Sequence, residues 1–418
     1  MHNNGPMTVA APVRPDTLAP APILSPRQVG LIVFALAMGG FAIGTSEFVV
    51  MGLITDIARA MAVTEPQVGH VISAYALGVV IGAPTLAILG ARMSRRSLLL
   101  ALMGFYAFGN LASALAPDYY SLMLARFVAG LPHGAYFGIA ALVAARISPP
   151  EQRGAAVGRV MLGLSVALLL GNPLATWLGQ SFGWRWAFAL VSLIALATVA
   201  MTMRVLPRGM NAPRPDAMRE LRDFNRKPVW LALGIGAIGF AGMFCVFSYL
   251  APTLVHVTGV RESFIPFGLI AFGIGGILGT LGGGWLFDRL QFRAAAWILV
   301  WSAIILLLFP LAARSVWTVL PAVLAVGTMG ALATVLQAHL MDVAKSAQTL
   351  AAASNHSAFN MANALGPWLG GMAITAGYGW TSTGVVGAIT ALAGLLIYAW
   401  ARADARRATP STVPCEAD

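Results

Sequence analysis

The chain has 418 residues, of which 58% are hydrophobic and 10% charged, and its mean hydropathy is +0.79. A soluble globular domain carries about 25% charged residues, so this composition excludes a water-covered fold. The net charge of +11 does not mark a nucleic-acid partner, because the basic residues lie between apolar segments and not on one soluble face.

Residues 1 to 28 carry six prolines and no continuous hydrophobic run, so they read as a flexible cytoplasmic tail and not as a cleaved signal. Twelve apolar segments follow, at about 30–52, 68–90, 97–115, 121–143, 156–179, 186–206, 229–254, 264–287, 294–312, 317–341, 350–376 and 379–400, each long enough to cross the hydrocarbon core as a helix. The expected fold class is therefore all-α integral membrane, twelve transmembrane helices in two six-helix repeats. The halves are residues 29–206 and 229–401, joined by a cytoplasmic linker at 207–228 and followed by a tail at 402–418. Within the linker, Asp216 to Phe224 has the composition of a short surface helix.

Orientation follows from Lys and Arg in the connections, which accumulate on the cytoplasmic side. Twenty-one of the 26 basic residues fall on the face that carries both termini, against Arg59, Arg185, Arg261 and Arg314 on the other. Both termini are expected in the cytoplasm of a bacterium, with the chain multi-pass in its inner membrane. The remaining cation, Arg126, falls inside span 4.

Internal repeats support the two halves. Gly90-Ala91-Arg92 and Gly284 to Arg289 are 194 residues apart, and Gly183-Trp184 and Gly379-Trp380 are 196 apart. Parallel repeats suit a carrier whose central site faces each side in turn.

Glu47 is the one carboxylate well inside a span, where a charge costs at least about 2.5 kcal/mol on insertion scales. A carboxyl group there can take a proton from one side and release it to the other, or it can pair permanently with a cation. Arg126 is the natural partner. Both residues lie five or six positions, about 8 Å, from the outer surface. His133, two turns beyond Arg126, can face the same cavity as a proton relay, or it can pack beside Pro132 and Gly134. Glu47, Arg126 and His133 form the candidate proton-coupling set.

Span 11 carries His356, Asn360 and Asn363 on one helical face, a stripe suited either to orienting substrate or to bonding a neighbouring helix. Gln337 and His339 on span 10 cannot share a face. Tyr75, Tyr136 and the cluster Phe240, Phe244, Phe247 and Tyr249 are candidates for an apolar pocket. The candidate substrate-binding set is Tyr75, Tyr136, Phe244, Phe247, His356, Asn360 and Asn363. No phosphate-cradling loop and no Cys/His cluster with metal spacing is present, so neither ATP hydrolysis within the chain nor a metal or other cofactor is expected, and the chain is not expected to be an enzyme.

Gly44-Thr45-Ser46-Glu47-Phe48, the stretch from Leu122 to Gly130 around Arg126, Leu131-Pro132-His133-Gly134 and Gly183-Trp184-Arg185 together resemble the major facilitator superfamily, in its twelve-span drug:proton antiporter branch with the arabinose and sugar efflux permeases. The resemblance implies export of a drug-like or sugar-like solute in exchange for protons. Proton-coupled uptake and a non-transporting membrane sensor are the alternatives. In that family a glycine, an aspartate and basic residues after span 2 latch the cytoplasmic gate. Here Arg92, Arg95 and Arg96 remain without the aspartate, whereas the second copy keeps Asp288 and Arg289; these five are the candidate gating residues. Span 5 carries Gly171-Asn172-Pro173 with Ala175 where the branch often has glycine. The expected partners are a small-molecule substrate, protons and membrane lipid, with no nucleic acid, and the carrier reads as a monomer.

Overall fold

In lipid the backbone must satisfy its own polar groups, and every span of this chain does so as a helix. The computed structural model describes residues 24–90, 93–149, 152–208, 225–344 and 348–408. The N-terminal tail to residue 23, Arg92, the surface helix expected at Asp216 to Phe224, and the tail beyond 408 lie outside the described residues.

The first half contains α1 (Pro26–Gly52), α2 (Ile54–Met61), α3 (Glu65–Leu89), α4 (Arg95–Leu115), α5 (Tyr119–Ile147), α6 (Arg153–Val166), a π-helical turn at Ala167–Gly171, α7 (Asn172–Phe182) and α8 (Trp184–Val205). The second contains α9 (Lys227–Gly234), a π-helical turn at Ile235–Gly239, α10 (Ala241–Ser248), α11 (Leu250–His256), α12 (Ile265–Leu290), α13 (Arg293–Ala312), α14 (Val316–Thr328), α15 (Ala331–Val343), α16 (Gln348–Ala373), a π-helical turn at Ile374–Tyr378, and α17 (Ser382–Ala408).

Local chemistry sets several ends. Ser25 closes a capping box with Gln28, which starts α1 at Pro26, four residues before the expected span. Asp118 does the same for α5 with Ser121. Gly183 and Gly379 occupy matching places in the two halves, at turns between helices, with φ of +104° and +78°. Only glycine enters that region freely, so the repeat seen in the sequence is a repeat of backbone geometry. The eight-residue α2 was not expected from the sequence; its apolar side, Ile54, Ile57 and Ala58, is buried.

Among the described residues, eleven helical segments are long and apolar enough to cross a membrane. The twelfth, α16, is 26 residues long but carries Asn355, His356, Asn360 and Asn363, which lower its hydropathy. The segment that departs from an ordinary span is thus the one with the polar stripe.

Bonds between elements sort the helix ends onto two faces. Arg96 Nη2 donates to the Met203 carbonyl at 2.6 Å, Arg226 Nη1 to the Val343 carbonyl at 3.2 Å, and Lys227 pairs with Asp404 on the face that carries the chain ends. On the far face Arg185 Nη2 donates to the Ala116 carbonyl at 3.0 Å and Thr258 Oγ1 to that of Ala313 at 2.7 Å. Large exposed apolar side chains such as Phe34, Trp177, Leu193, Trp297 and Leu396 form the lipid-facing perimeter.

The two halves meet along α3 against α16, and along α12 against the π-helical turn at Ala167–Gly171 and α7. At the far end they share one apolar core, running from Phe48, Leu53 and Ile72 to Phe247, Leu254 and Leu269. Toward the chain ends, a separate core holds the first half, around Leu36, Tyr106 and Val143. Val229, Leu340 and Ala344 belong to another. Among the described residues, the halves share an apolar core at the far face and have no common core at the other.

Candidate functional site

The site is built on four consecutive residues of α1, Thr45 to Phe48. Each helical step turns the side chain by about 100°, so neighbours address different partners. Thr45 faces Gly171 at the π-helical turn. Ser46 faces α4 and α5, Glu47 faces α16, and Phe48 faces α10.

Arg126 is fully buried. Its Nη1 donates to Ser46 Oγ at 2.7 Å and its Nη2 to the Ser46 carbonyl at 2.8 Å. The guanidinium lies 4.2 Å from the centre of the Tyr75 ring and 5.2 Å from that of Phe188, a desolvated cation–π arrangement. Ser46 Oγ donates in turn to Asn110 Oδ1 at 2.5 Å, and Asn110 Nδ2 donates to the Tyr106 carbonyl.

A second chain of hydrogen bonds starts from Tyr75. Its hydroxyl lies 3.2 Å from that of Tyr106 and 3.0 Å from His133 Nδ1, while Tyr106 donates to the Ile43 carbonyl at 3.2 Å. One assignment of hydrogens satisfies all three contacts: Tyr106 donates to Ile43, Tyr75 to Tyr106, and His133 Nδ1–H to Tyr75. In a neutral His133, Nε2 is then left as an acceptor. Its ring also tilts against Phe137, which stacks flat on His356 of α16, the centroids 6.0 Å apart.

Glu47 does not touch Arg126 through an ion pair; the two are in Coulombic reach only. The direct contact expected between them is not made in this conformation. Equal depth along two helices left the azimuth open, and Ser46, one position earlier, takes the guanidinium. The partner of Glu47 is across the halves: Asn363 Nδ2 donates to Glu47 Oε1 at 3.0 Å. Glu47 is 6% exposed and Asn363 1%.

The remaining expected positions divide. Phe244 and Phe247 surround Phe48, with ring centroids at 6.5 and 5.9 Å, and Phe247 stacks on Phe272 at 3.6 Å. They line the junction of the halves beside Glu47. Tyr136 does not join them: its hydroxyl donates to the Leu36 carbonyl at 2.9 Å, tying α5 to α1. Asn360 Nδ2 turns back to the His356 carbonyl on its own helix. On α15, Gln337 accepts from Asn355 at 2.8 Å, and His339 stacks on Phe292.

Of the gating positions, the four described ones, Arg95, Arg96, Asp288 and Arg289, are not brought together in this conformation. Arg95 Nη1 reaches the Leu142 carbonyl at 3.5 Å and Arg96 that of Met203, both within the first half. Arg289 lies over Trp285 of its own helix, and Asp288 is exposed with no ion pair among the described residues. The far face is tied instead. Arg59 Nη2 of α2 meets Glu262 Oε1 at 2.6 Å, with Asp56 3.8 Å from Arg59 Nη1, and Gln180 Nε2 donates to the Glu262 carbonyl at 3.1 Å. A cavity of about 220 Å³ lined by Thr55, Arg59, Glu65, Val255, His256 and Glu262 lies there. Burial, then the Glu262 carboxylate, hold the Asp56 carboxyl above its ordinary range, and the bond to Glu262 raises the Arg59 guanidinium.

The Major Facilitator Superfamily profile matches residues 36–300, well over half of the chain. The chain belongs to the Major Facilitator Superfamily. It is 38% identical over 377 residues to the inner membrane transport protein YdhP of Escherichia coli (strain K12), covering 90% of this chain and 97% of that protein. It is 31% identical over 376 residues to the probable sugar efflux transporter of Pasteurella multocida (strain Pm70), covering 88% and 91%. A crystal structure of a bacterial homolog to the human lysosomal transporter Spinster, inward-facing and occupied, superposes with a TM-score of 0.73 at 18% identity, over 93% of this chain and all of that one.

In this facilitator the sequence did not single out Ser46, which holds Arg126, Asn110, which holds Ser46, Tyr106, which joins Tyr75 to α1, or the tie from Arg59 to Glu262. Asn110 was a visible signal, a carboxamide inside an otherwise apolar span. The tie was not visible, because its partners lie 203 residues apart in short connections.

Proposed function

We propose that this facilitator exports a small organic solute, sugar-like or drug-like, in exchange for protons, by alternately opening a site between its halves to each side of a bacterial inner membrane. The observation that carries this reading is the placement of Glu47. It is a buried carboxylate at the junction of the halves, bonded to the opposite half by Asn363 and not in direct contact with the nearby cation. A proton taken up there removes a charge that is costly in lipid, so proton occupancy and the relation of the halves are linked.

The face bearing the chain ends is assigned to the cytoplasm from its excess of arginine, which makes the present form inward-open. The relatives' printed names, an inner membrane transport protein and a sugar efflux transporter, agree with that location and direction. Phe48, Phe244 and Phe247 offer apolar surface beside Glu47, and His356 and the open Nε2 of His133 offer polar contacts; that mixture suits a solute with both kinds of surface.

The test uses proteoliposomes with an imposed pH gradient, offering radiolabelled arabinose and, separately, ethidium. Export predicts solute movement against its gradient, opposite to proton flow, with protons and solute counted together. Solute moving in the same direction as protons would establish uptake, and no flux of either probe under any gradient would favour a sensor.

A further inference from the structure

The bond between Glu47 and Asn363 engages only half of each group. Asn363 Nδ2 donates to Glu47 Oε1, while Asn363 Oδ1 is buried with no hydrogen-bond partner. The bond given for Glu47 is at Oε1 alone, which leaves Oε2 without a hydrogen-bond partner among the described residues. An ionised carboxylate only accepts, so it offers Oδ1 nothing. A carboxylic acid can complete the pair: with its proton on Oε2, Glu47 accepts from Nδ2 at Oε1 and donates from Oε2 to Oδ1. The two side chains then close a ring of two hydrogen bonds between the halves.

We propose that Asn363 is the positioning residue that converts the protonation state of Glu47 into closure of the far face. This rests on the reading of Glu47 as the coupling acid. α1 and α16 belong to different halves, and the Glu47–Asn363 contact lies beside the far-face core. Protonation therefore adds one hydrogen bond to the far-closed form and removes the repulsion between a carboxylate and an unpaired carbonyl. Releasing the proton weakens closure, so a loaded solute can open the far side.

The other titratable groups around Glu47 are engaged. Arg126 of α5 is committed to Ser46, and Tyr75 of α3 to Tyr106 and His133. On α10, Cys245 donates to the Gly366 carbonyl and the adjoining Tyr249 to that of Pro367. His356 of α16 is stacked on Phe137. The π-helical turn and α7 present the uncharged Asn172 and Thr176, and α8 carries Arg185 at its far end, bonded to Ala116. Asp56 and Arg59 of α2 stand at the far surface, where His256 of α11 stacks on Trp380. Asp288 and Arg289 of α12 lie at the opposite end of the molecule.

The full chain, with Cys415→Ser and the buried Cys245 retained, takes spin labels at Tyr120→Cys and Trp317→Cys, exposed sites at the far-face starts of α5 and α14 on opposite halves. Electron–electron distances are measured without solute at about pH 8.5 and about pH 5.5, a window that covers carboxyl groups shifted by burial. With Glu47 and Asn363 intact, the ratio of short to long distances should rise about three- to tenfold on acidification, the worth of one added hydrogen bond. Glu47→Gln, whose amide can form the same ring, should stay short at both pH values. Asn363→Leu, and Asn363→Ser should the first fold poorly, should show no change with pH, and Asn363→Gln should recover part of it. A native-sized pH response in both Asn363→Leu and Asn363→Ser overturns the proposal while sparing Glu47. A native-sized response in Glu47→Gln overturns the reading of Glu47 itself, and the proposal with it.

Discussion

Removing one hydroxyl, in Ser46→Ala, tests how Arg126 is held. Ser46 Oγ accepts from Arg126 Nη1 at 2.7 Å and donates to Asn110 Oδ1 at 2.5 Å. A hydrogen bond to a charged group contributes about 1.5–3 kcal/mol, and an orphaned buried acceptor costs about 1–3 kcal/mol. The Nη2 bond to the Ser46 carbonyl and the stacking on Tyr75 survive the change, so the expected net loss is about 3 kcal/mol. For a chain this long that moves the melting temperature only about 1 °C per kcal/mol, too little to resolve well. Equilibrium unfolding in a denaturing detergent series is the better assay. Adding Asn110→Leu removes the orphaned acceptor, so the double variant should lose about 1–2 kcal/mol less than the sum of the single losses. Glu47→Gln should cost under about 1 kcal/mol by the same assay, since Glu47 makes one neutral-donor bond. A Ser46→Ala variant within about 0.5 kcal/mol of the native protein, with Glu47→Gln the costly change, would show that Arg126 depends on Glu47 and not on Ser46.

At the far face, the Arg59–Glu262 pair is substantially exposed, at 67% and 37% for the side chains, so Glu262→Gln should shift the opening equilibrium by no more than about fivefold, and added salt should erase the difference, as read by cysteine accessibility at Val63. Asp56 has a raised folded value, so its contribution to the closed face is complete below the ordinary carboxylate range and is lost as pH rises through the raised value; Asp56→Asn should flatten that part of the stability profile. A side chain on Gly78 would strike the Phe127 carbonyl of α5, whereas Gly104 faces open space. Gly78→Val should therefore abolish a monodisperse folded peak on size exclusion, and Gly104→Ala should not. Asp288→Asn should insert normally and lower the population closed at the face of the chain ends, seen as raised cysteine labelling there.

The spans, their pairing into halves and the polar character of α16 were legible because they depend on local composition and on repeats. Gly183 and Gly379 are the clearest case, since a glycine-only backbone conformation leaves a residue-level mark in both halves. The cage around Arg126 was legible only in part. Depth follows from counting residues, which placed Arg126 opposite the segment containing Glu47, but the choice between Ser46 and Glu47 depends on helix rotation. Asn363 was visible as part of a stripe, and its bond to a residue 316 positions away was not. Tyr136 looked equivalent to Tyr75 as an aromatic on a cavity-forming span. The Leu36 carbonyl and the close approach at Gly39 make it a structural tie instead. α2 was read as a connection because its eight residues mix Asp56 and Arg59 with apolar positions, and its helix is held by docking onto the shared core.

The central claim, that Glu47 carries the coupled proton, is tested most directly by comparing two transport modes of Glu47→Gln in the same proteoliposomes. Exchange of labelled for unlabelled solute at equal concentrations needs only the reorientation of the loaded carrier, whereas accumulation driven by a pH gradient needs a titrating group. If Glu47 carries the proton, Glu47→Gln keeps exchange, slowed about three- to tenfold by the ring to Asn363 that persists in the far-closed form, and loses pH-driven accumulation together with proton flux. Accumulation against a gradient at the native rate, with normal proton flux, would contradict it and move the proton to another group, with His133 the next to examine.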